Sequence, residues 1–117
     1  MGNNQINLNF YDADSGVTFT NGFTQNTMVF VAVKFNRTTK ATKFFRNGVF
    51  SNEIIKTTTP SFTTLTSTQI GRRYNVSYLS SVADLKGNSY LTLVYNRELT
   101  DAEIQQNFNA FRGRFGI

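Results

Sequence analysis

Apolar and polar positions alternate along much of this chain with a period of two. Ile6, Leu8 and Phe10 interleave with Asn7, Asn9 and Tyr11, which predicts a first strand. Residues 12–16 form a turn, and 17–20 form a short return strand ending at Asn21-Gly22, a dipeptide that favours tight turns. Residues 28–36, MVFVAVKFN, are the strongest strand. Val29, Val31, Val33 and Phe35 lie on one face, and Met28, Phe30 and Ala32 on the other. Both faces are apolar over the first half, so this strand is expected to be central and covered on both sides. Residues 36–40 are a polar turn and 42–46 the next strand. Asn47-Gly48 carries the type I′ hairpin signal, from which residues 49–56 return. Residues 57–60 are a Thr-rich linker. Residues 61–71 hold another strand, anchored by Phe62, Leu65 and Ile70, and 73–84 read as an irregular surface loop.

Near the C-terminal end the period changes. Within residues 90–96, Leu91, Leu93 and Tyr95 alternate with Tyr90, Thr92 and Val94, which predicts a buried strand. Asn96, Arg97 and Glu98 break that run. Thr100 then stands three residues before Glu103, the spacing of a capping box: the hydroxyl accepts a free amide of the first turn and the carboxylate reaches back to the cap amide. Asp101 and Glu103 place negative charge at the positive end of a helix. Ile104, Phe108 and Phe111 fall at i, i+4 and i+7, an apolar stripe that should dock the helix. Arg112 and Arg114 suit its C-terminal end, and Gly113 is the expected stop.

Composition adds to this picture mainly by exclusion. The 117 residues suffice for one domain. Aromatics make up 15%, with 12 Phe, 5 Tyr and no Trp, so Phe must supply the large core side chains. There is no Cys and no His, which removes disulfides, thiolate chemistry and the commonest general base and metal ligand. No apolar run is long enough to span a membrane. The N-terminus, MGNNQINLNF, has neither the charged and apolar regions of a signal peptide nor the pattern for myristoylation. The net charge of +5 allows an acidic partner, but it is modest and consecutive basic residues extend no further than Arg72-Arg73, so a solvated basic surface is the favoured reading.

Two blocks resemble a known family. The stretch LKGNSYLTLVYNRELTDAEIQQNFNAFRGRFGI closely resembles the C-terminal signature of concanavalin A-like lectin/glucanase domains of the laminin-G-like type, FKG-x-I-x-x-V-x-I-YNR-x-LT-x-x-EI-x-x-NY. Residues 28–48 resemble the same family's W-x-HVAV-x-YD … YVNG pattern, with Met28 in place of its frequent Trp and Phe30 in place of its frequent His. Ile70-Gly71-Arg72 resembles a strand end of the family. The resemblance covers residues 28–117 and implies an all-β fold: a single antiparallel β-sandwich of jelly-roll type over residues 1–117, with a short C-terminal α-helix. Such domains usually carry more strands ahead of the HVAV block than 27 residues supply. The expectation is a shortened sandwich, strands lent by a neighbouring chain, or a fragment of a longer protein.

Candidate chemistry is sparse. Glycoside hydrolysis needs two carboxyl groups flanking the bond, and no predicted strand presents two acids at i, i+2 among the seven acidic residues. The expectation is therefore a protein that is not an enzyme. Calcium, which many domains of this family bind, would have Asp12, Asp14, Asp84 and Asn88 as loop oxygens; acidic turn residues serve more often as turn formers, so no cofactor is expected. Arg72, Arg73, Tyr74, Asn75 and Tyr78 are the candidate ligand-binding residues, for a glycan or a subunit contact. Lys34, Arg37, Lys40, Lys43 and Arg46 surround Phe44 and Phe45 in one hairpin, as in single-strand nucleic-acid binders. There the lysines are read instead as guards of an exposed sheet edge, and nucleic acid is set aside. What the resemblance implies is a structural or binding module of a phage virion, made in the host cytoplasm, that decorates a capsid or forms part of a fibre. Its partners would be other virion or surface proteins and further copies of itself, with no membrane. The alternative is a lectin-like adhesin at an extracellular surface that recognises a glycan.

Overall fold

The computed structural model describes residues 6–8, 17–20, 22–57 and 87–117. Strands β1 (Ile6–Leu8) and β2 (Val17–Phe19) pair antiparallel, with Ile6 opposite Phe19 and Leu8 opposite Val17. Strands β3 (Val31–Asn36), β4 (Ala41–Arg46) and β5 (Val49–Ile55) form an open antiparallel sheet in the order β3-β4-β5. Helix α1 spans Asp101–Phe115.

β4 is the most buried strand and lies between the other two, whereas residues 28–36 were expected to be central. β3 begins at Val31 and lies at the edge of the described sheet, with all its residues half-buried. The difference has a physical basis in β4 itself. Its consecutive Phe44 and Phe45 point to opposite faces, and each face has its own cover. Val33 and Phe44 align across the sheet on one face, where the Phe44 ring stacks on Phe19 of β2 at 4.9 Å, flanked by Val33 and Ile54. Ala32, Phe45 and Phe50 align on the other face, where Phe45 packs with Leu99 and Ile104 beneath α1. The sheet is thus a layer between the N-terminal hairpin and the C-terminal helix. A register shift between Phe44 and Phe45 lets Phe50 oppose Phe45 and Asn52 oppose Phe44, so Ser51 is the extra residue of a bulge in β5.

The turns follow their sequence signals. Asn47 and Gly48 both take positive φ, 51° and 77°, as the two central positions of a type I′ hairpin require. The tip is held to the chain before β3 by a pair of bonds: Asn47 N donates to the Phe30 carbonyl at 2.8 Å, and Phe30 N donates to Asn47 Oδ1 at 3.0 Å. In the β3–β4 turn, Asn36 Oδ1 accepts from the amides of Thr38 and Thr39 at 3.0 and 2.9 Å.

The capping box at Thr100 is formed. Glu103 N donates to Thr100 Oγ1 at 3.2 Å, and Thr100 N donates to Glu103 Oε2 at 2.8 Å. The helix does not stop at Gly113. It runs to Phe115 and ends where Gly116 turns left-handed at φ 71°, with Ile117 N reaching back to the Arg112 carbonyl at 3.0 Å. That six-to-one bond belongs to the Schellman ending, and it selects Gly116 because only there does the left-handed turn bring Ile117 onto Arg112.

Residues 90–95 depart further from expectation. They form no ladder among the described residues, and Tyr90, Leu91, Leu93, Val94 and Tyr95 are all exposed. The segment runs beside the helix: the Tyr90 ring lies 6.2 Å from that of Phe115, and Asn107 Nδ2 donates to Tyr95 Oη at 3.0 Å. Both tyrosines are committed to α1, although the alternation had placed them on opposite faces.

Candidate functional site

The basic residues that gather along one stretch of sequence separate in space. Lys34 and Lys43 stand directly opposite each other on the helix-covered face. Lys34 does not guard an edge. Its amine turns under the helix start, 2.6 Å from Asp101 Oδ1, 3.5 Å from Glu98 Oε1 and 3.1 Å from the Leu99 carbonyl, with the Phe45 ring on its other side. Burial pulls its pKa down, but hydrogen bonding and charge from Asp101, and then Glu98, outweigh that and raise it. Asn36 Nδ2 donates to Glu98 Oε2 at 2.7 Å, so two residues of β3 grip the segment that leads into α1. Lys43 pairs with Glu53 of β5 at 3.8 Å. Arg46 points to the opposite face and bonds Thr24 Oγ1, and Lys40 Nζ donates to the Thr57 carbonyl at 2.7 Å. No aligned row of cations with interleaved rings results: Phe44 and Phe45 are core residues.

The acidic residues are similarly occupied. Among the described residues Glu53, Glu98, Asp101 and Glu103 each take part in an ion pair. Glu103 receives both Arg97 guanidinium nitrogens, at 2.9 and 2.7 Å, in a bidentate fork. That fork, together with the Thr100 amide, lowers the Glu103 pKa to about 2. The sign of the pH effect follows. A carboxylate whose folded pKa lies below its unfolded value stabilises the fold above the unfolded value, and this is lost as the pH falls through the folded one. Stability should therefore fall as pH drops from the ordinary carboxylate range towards about 2. Glu103→Gln should flatten that part of the acid-denaturation curve, and an unchanged curve would show that the fork does not form in solution.

The sequence candidates Arg72, Arg73, Tyr74, Asn75 and Tyr78 lie outside the described residues, as do Asp12, Asp14 and Asp84. Asn88 is described, and its amide donates to Tyr90 Oη at 3.5 Å. What the structure does present is a continuous exposed run, residues 90–95, alongside the helix. Tyr90 is 62% exposed and Val94 84%, so these side chains offer most of their surface. The Arg114 guanidinium stands over the Phe115 ring at 5.8 Å, beside Tyr90, and joins cation to aromatic at the helix end. A second open region is the β5 edge, where Val49, Phe50 and Ile55 are exposed. Alternation alone had marked residues 90–95 as core. The available signal was the crowding of apolar residues on both sides of that run, with Tyr at each end.

The comparisons with known proteins fit this architecture. A family model described as the concanavalin A-like lectin/glucanases superfamily, of laminin G type, matches residues 1–105. A crystal structure of an S-layer domain-containing protein (residues 221–444) from Clostridium thermocellum is similar in fold, with a TM-score of 0.57 at 20% identity. The similarity covers 80% of this chain and 44% of that one, so the chain spans less than half of its structural neighbour. No curated protein matches.

Proposed function

Since the chain belongs to the concanavalin A-like lectin/glucanase superfamily, in its laminin-G-like branch, we infer that it is a non-catalytic module that assembles with other chains at a particle or cell surface. Its complete fold on this reading is a jelly-roll β-sandwich, of which the three-stranded sheet and the helix are the described part. The observation that carries the reading is the exposed apolar run at residues 90–95, together with the β5 edge, which is unpaired among the described residues. Unpaired edges with apolar side chains are the places where a second chain adds. The engagement of all four described carboxylates in ion pairs favours a non-catalytic role. The setting is a phage virion, as a capsid-decorating or fibre protein, with further copies of itself or a larger virion protein as partner. The matched neighbour is named as an S-layer domain-containing protein, and a surface setting for this chain accords with that name.

The experiment is sedimentation of the purified chain, wild type and Val94→Lys. The wild type should sediment as an oligomer, and the variant should dissociate while its circular dichroism is unchanged. A stable dilute monomer in the wild type would overturn the assembly role. The second reading, a glycan-binding adhesin, draws on the Tyr90, Phe115 and Arg114 cluster, because a ring platform beside a cation suits a sugar face. A glycan array with Tyr90→Ala as control separates the two.

A further inference from the structure

We propose that the Asn47-Gly48 turn is a latent deamidation site that the fold keeps closed, so that unfolding leaves a covalent record there. An asparagine followed by glycine is the pair in which the next backbone nitrogen is least hindered, and asparagine is a thermolabile residue. The reaction joins the Gly48 backbone nitrogen to Asn47 Cγ. The Cγ–Nδ2 bond breaks, and ammonia leaves with the amide proton. Water then opens the cyclic imide at either carbonyl and yields aspartate or isoaspartate.

Three features of the folded turn oppose ring closure. Asn47 is left-handed, at φ 51°. At the ψ that usually accompanies such a φ, the next nitrogen lies across the Cα–C bond from Cβ, on the side away from the carboxamide. Phe30 N donates to Asn47 Oδ1 and holds the side chain away from it, while the Asn47 backbone N–H donates to the Phe30 carbonyl and fixes the backbone. Gly48 is itself confined: a Cβ built on it would stand 2.8 Å from Phe108 Cδ1, so the Phe108 side chain fills the space beside Gly48 Cα and resists movement of the turn. The reaction therefore waits for the turn to open. Once isoaspartate forms, an extra methylene enters the backbone and the paired bonds to Phe30 can no longer be made in register.

The test compares the full chain folded and unfolded. Both samples are held in the same mildly alkaline buffer, one with enough urea to unfold the chain, and conversion at position 47 is followed by peptide mapping with isoaspartate detection. A peptide of residues 44–51 in both buffers corrects for urea itself. The folded chain should convert at least about tenfold more slowly, the ratio that an opening free energy of about 1.4 kcal/mol produces. A corrected ratio below about tenfold overturns the proposal.

Discussion

Phe44→Ala is expected to lower the unfolding free energy by about 3–5 kcal/mol, the cost of deleting a large aromatic side chain from a filled core. Phe44 is 0% exposed and sits in the middle of the central strand. Its ring carries the stack on Phe19, and the cluster around it is completed by Val33 and Ile54. Removing the ring opens a cavity on one face and also frees the N-terminal hairpin. That hairpin has three residues in each strand, too few to persist in water without packing. Urea denaturation should therefore show a lower midpoint, and hydrogen exchange at residues 6–8 should accelerate more than at residues 101–115. An unchanged midpoint would mean that the stack on Phe19 contributes nothing.

Gly48→Ala is expected to cost about 2–5 kcal/mol, from two separable sources. The left-handed backbone at φ 77° penalises any Cβ by about 1–2 kcal/mol. The new methyl would also stand 2.8 Å from Phe108 Cδ1 and 3.0 Å from its Cβ, an overpacking worth about 1–3 kcal/mol. Only the second source depends on Phe108. In a Phe108→Ala background the substitution should therefore cost about 1–2 kcal/mol, and the double-mutant cycle should show the difference as coupling. Equal costs in both backgrounds would show that the helix does not rest on the hairpin tip.

Where a signal was local, the sequence displayed it. The capping box needs only Thr100 and Glu103, three residues apart on one helix turn, and the type I′ turn needs only Asn47 and Gly48. β1 stands where alternation places it, and β2, β4 and β5 stand where the turn signals at Asn21-Gly22 and Asn47-Gly48 bound them. What required distant partners was not legible. Lys34 reads as one more surface lysine within a basic hairpin, and nothing in that hairpin indicates that Asp101 and Glu98 close around it. The end of the helix depended on which of two glycines could bring Ile117 back onto Arg112, a matter of geometry beyond residue type. Residues 90–95 show the limit of periodicity most plainly. Alternation fixes which side chains share a face of an extended segment, but not whether a sheet receives that face. Among the described residues no strand pairs with this run, and Tyr90 and Tyr95 contact the helix. The candidate ligand residues Arg72, Arg73, Tyr74, Asn75 and Tyr78 rest on side-chain chemistry alone and lie outside the described residues.

The bond between Lys34 and Asp101 joins residues 67 positions apart, whereas β3, β4 and β5 are linked by two short turns. This difference sets an order of events during synthesis. Chains emerge N-terminal end first, and contacts between near neighbours form before distant ones. The three-stranded sheet can therefore be complete while the segment carrying Leu99, Ile104 and Phe108 is still inside the ribosome. Over that interval the Phe45 face lacks its cover, although the Phe44 face already has Phe19 available from residues made earlier. A pause in translation after the sheet has left the ribosome and before the helix has would hold the nascent chain in its most adhesive form, one face closed and the other bare. Chaperone engagement should concentrate there, and pass once the helix closes onto Lys34.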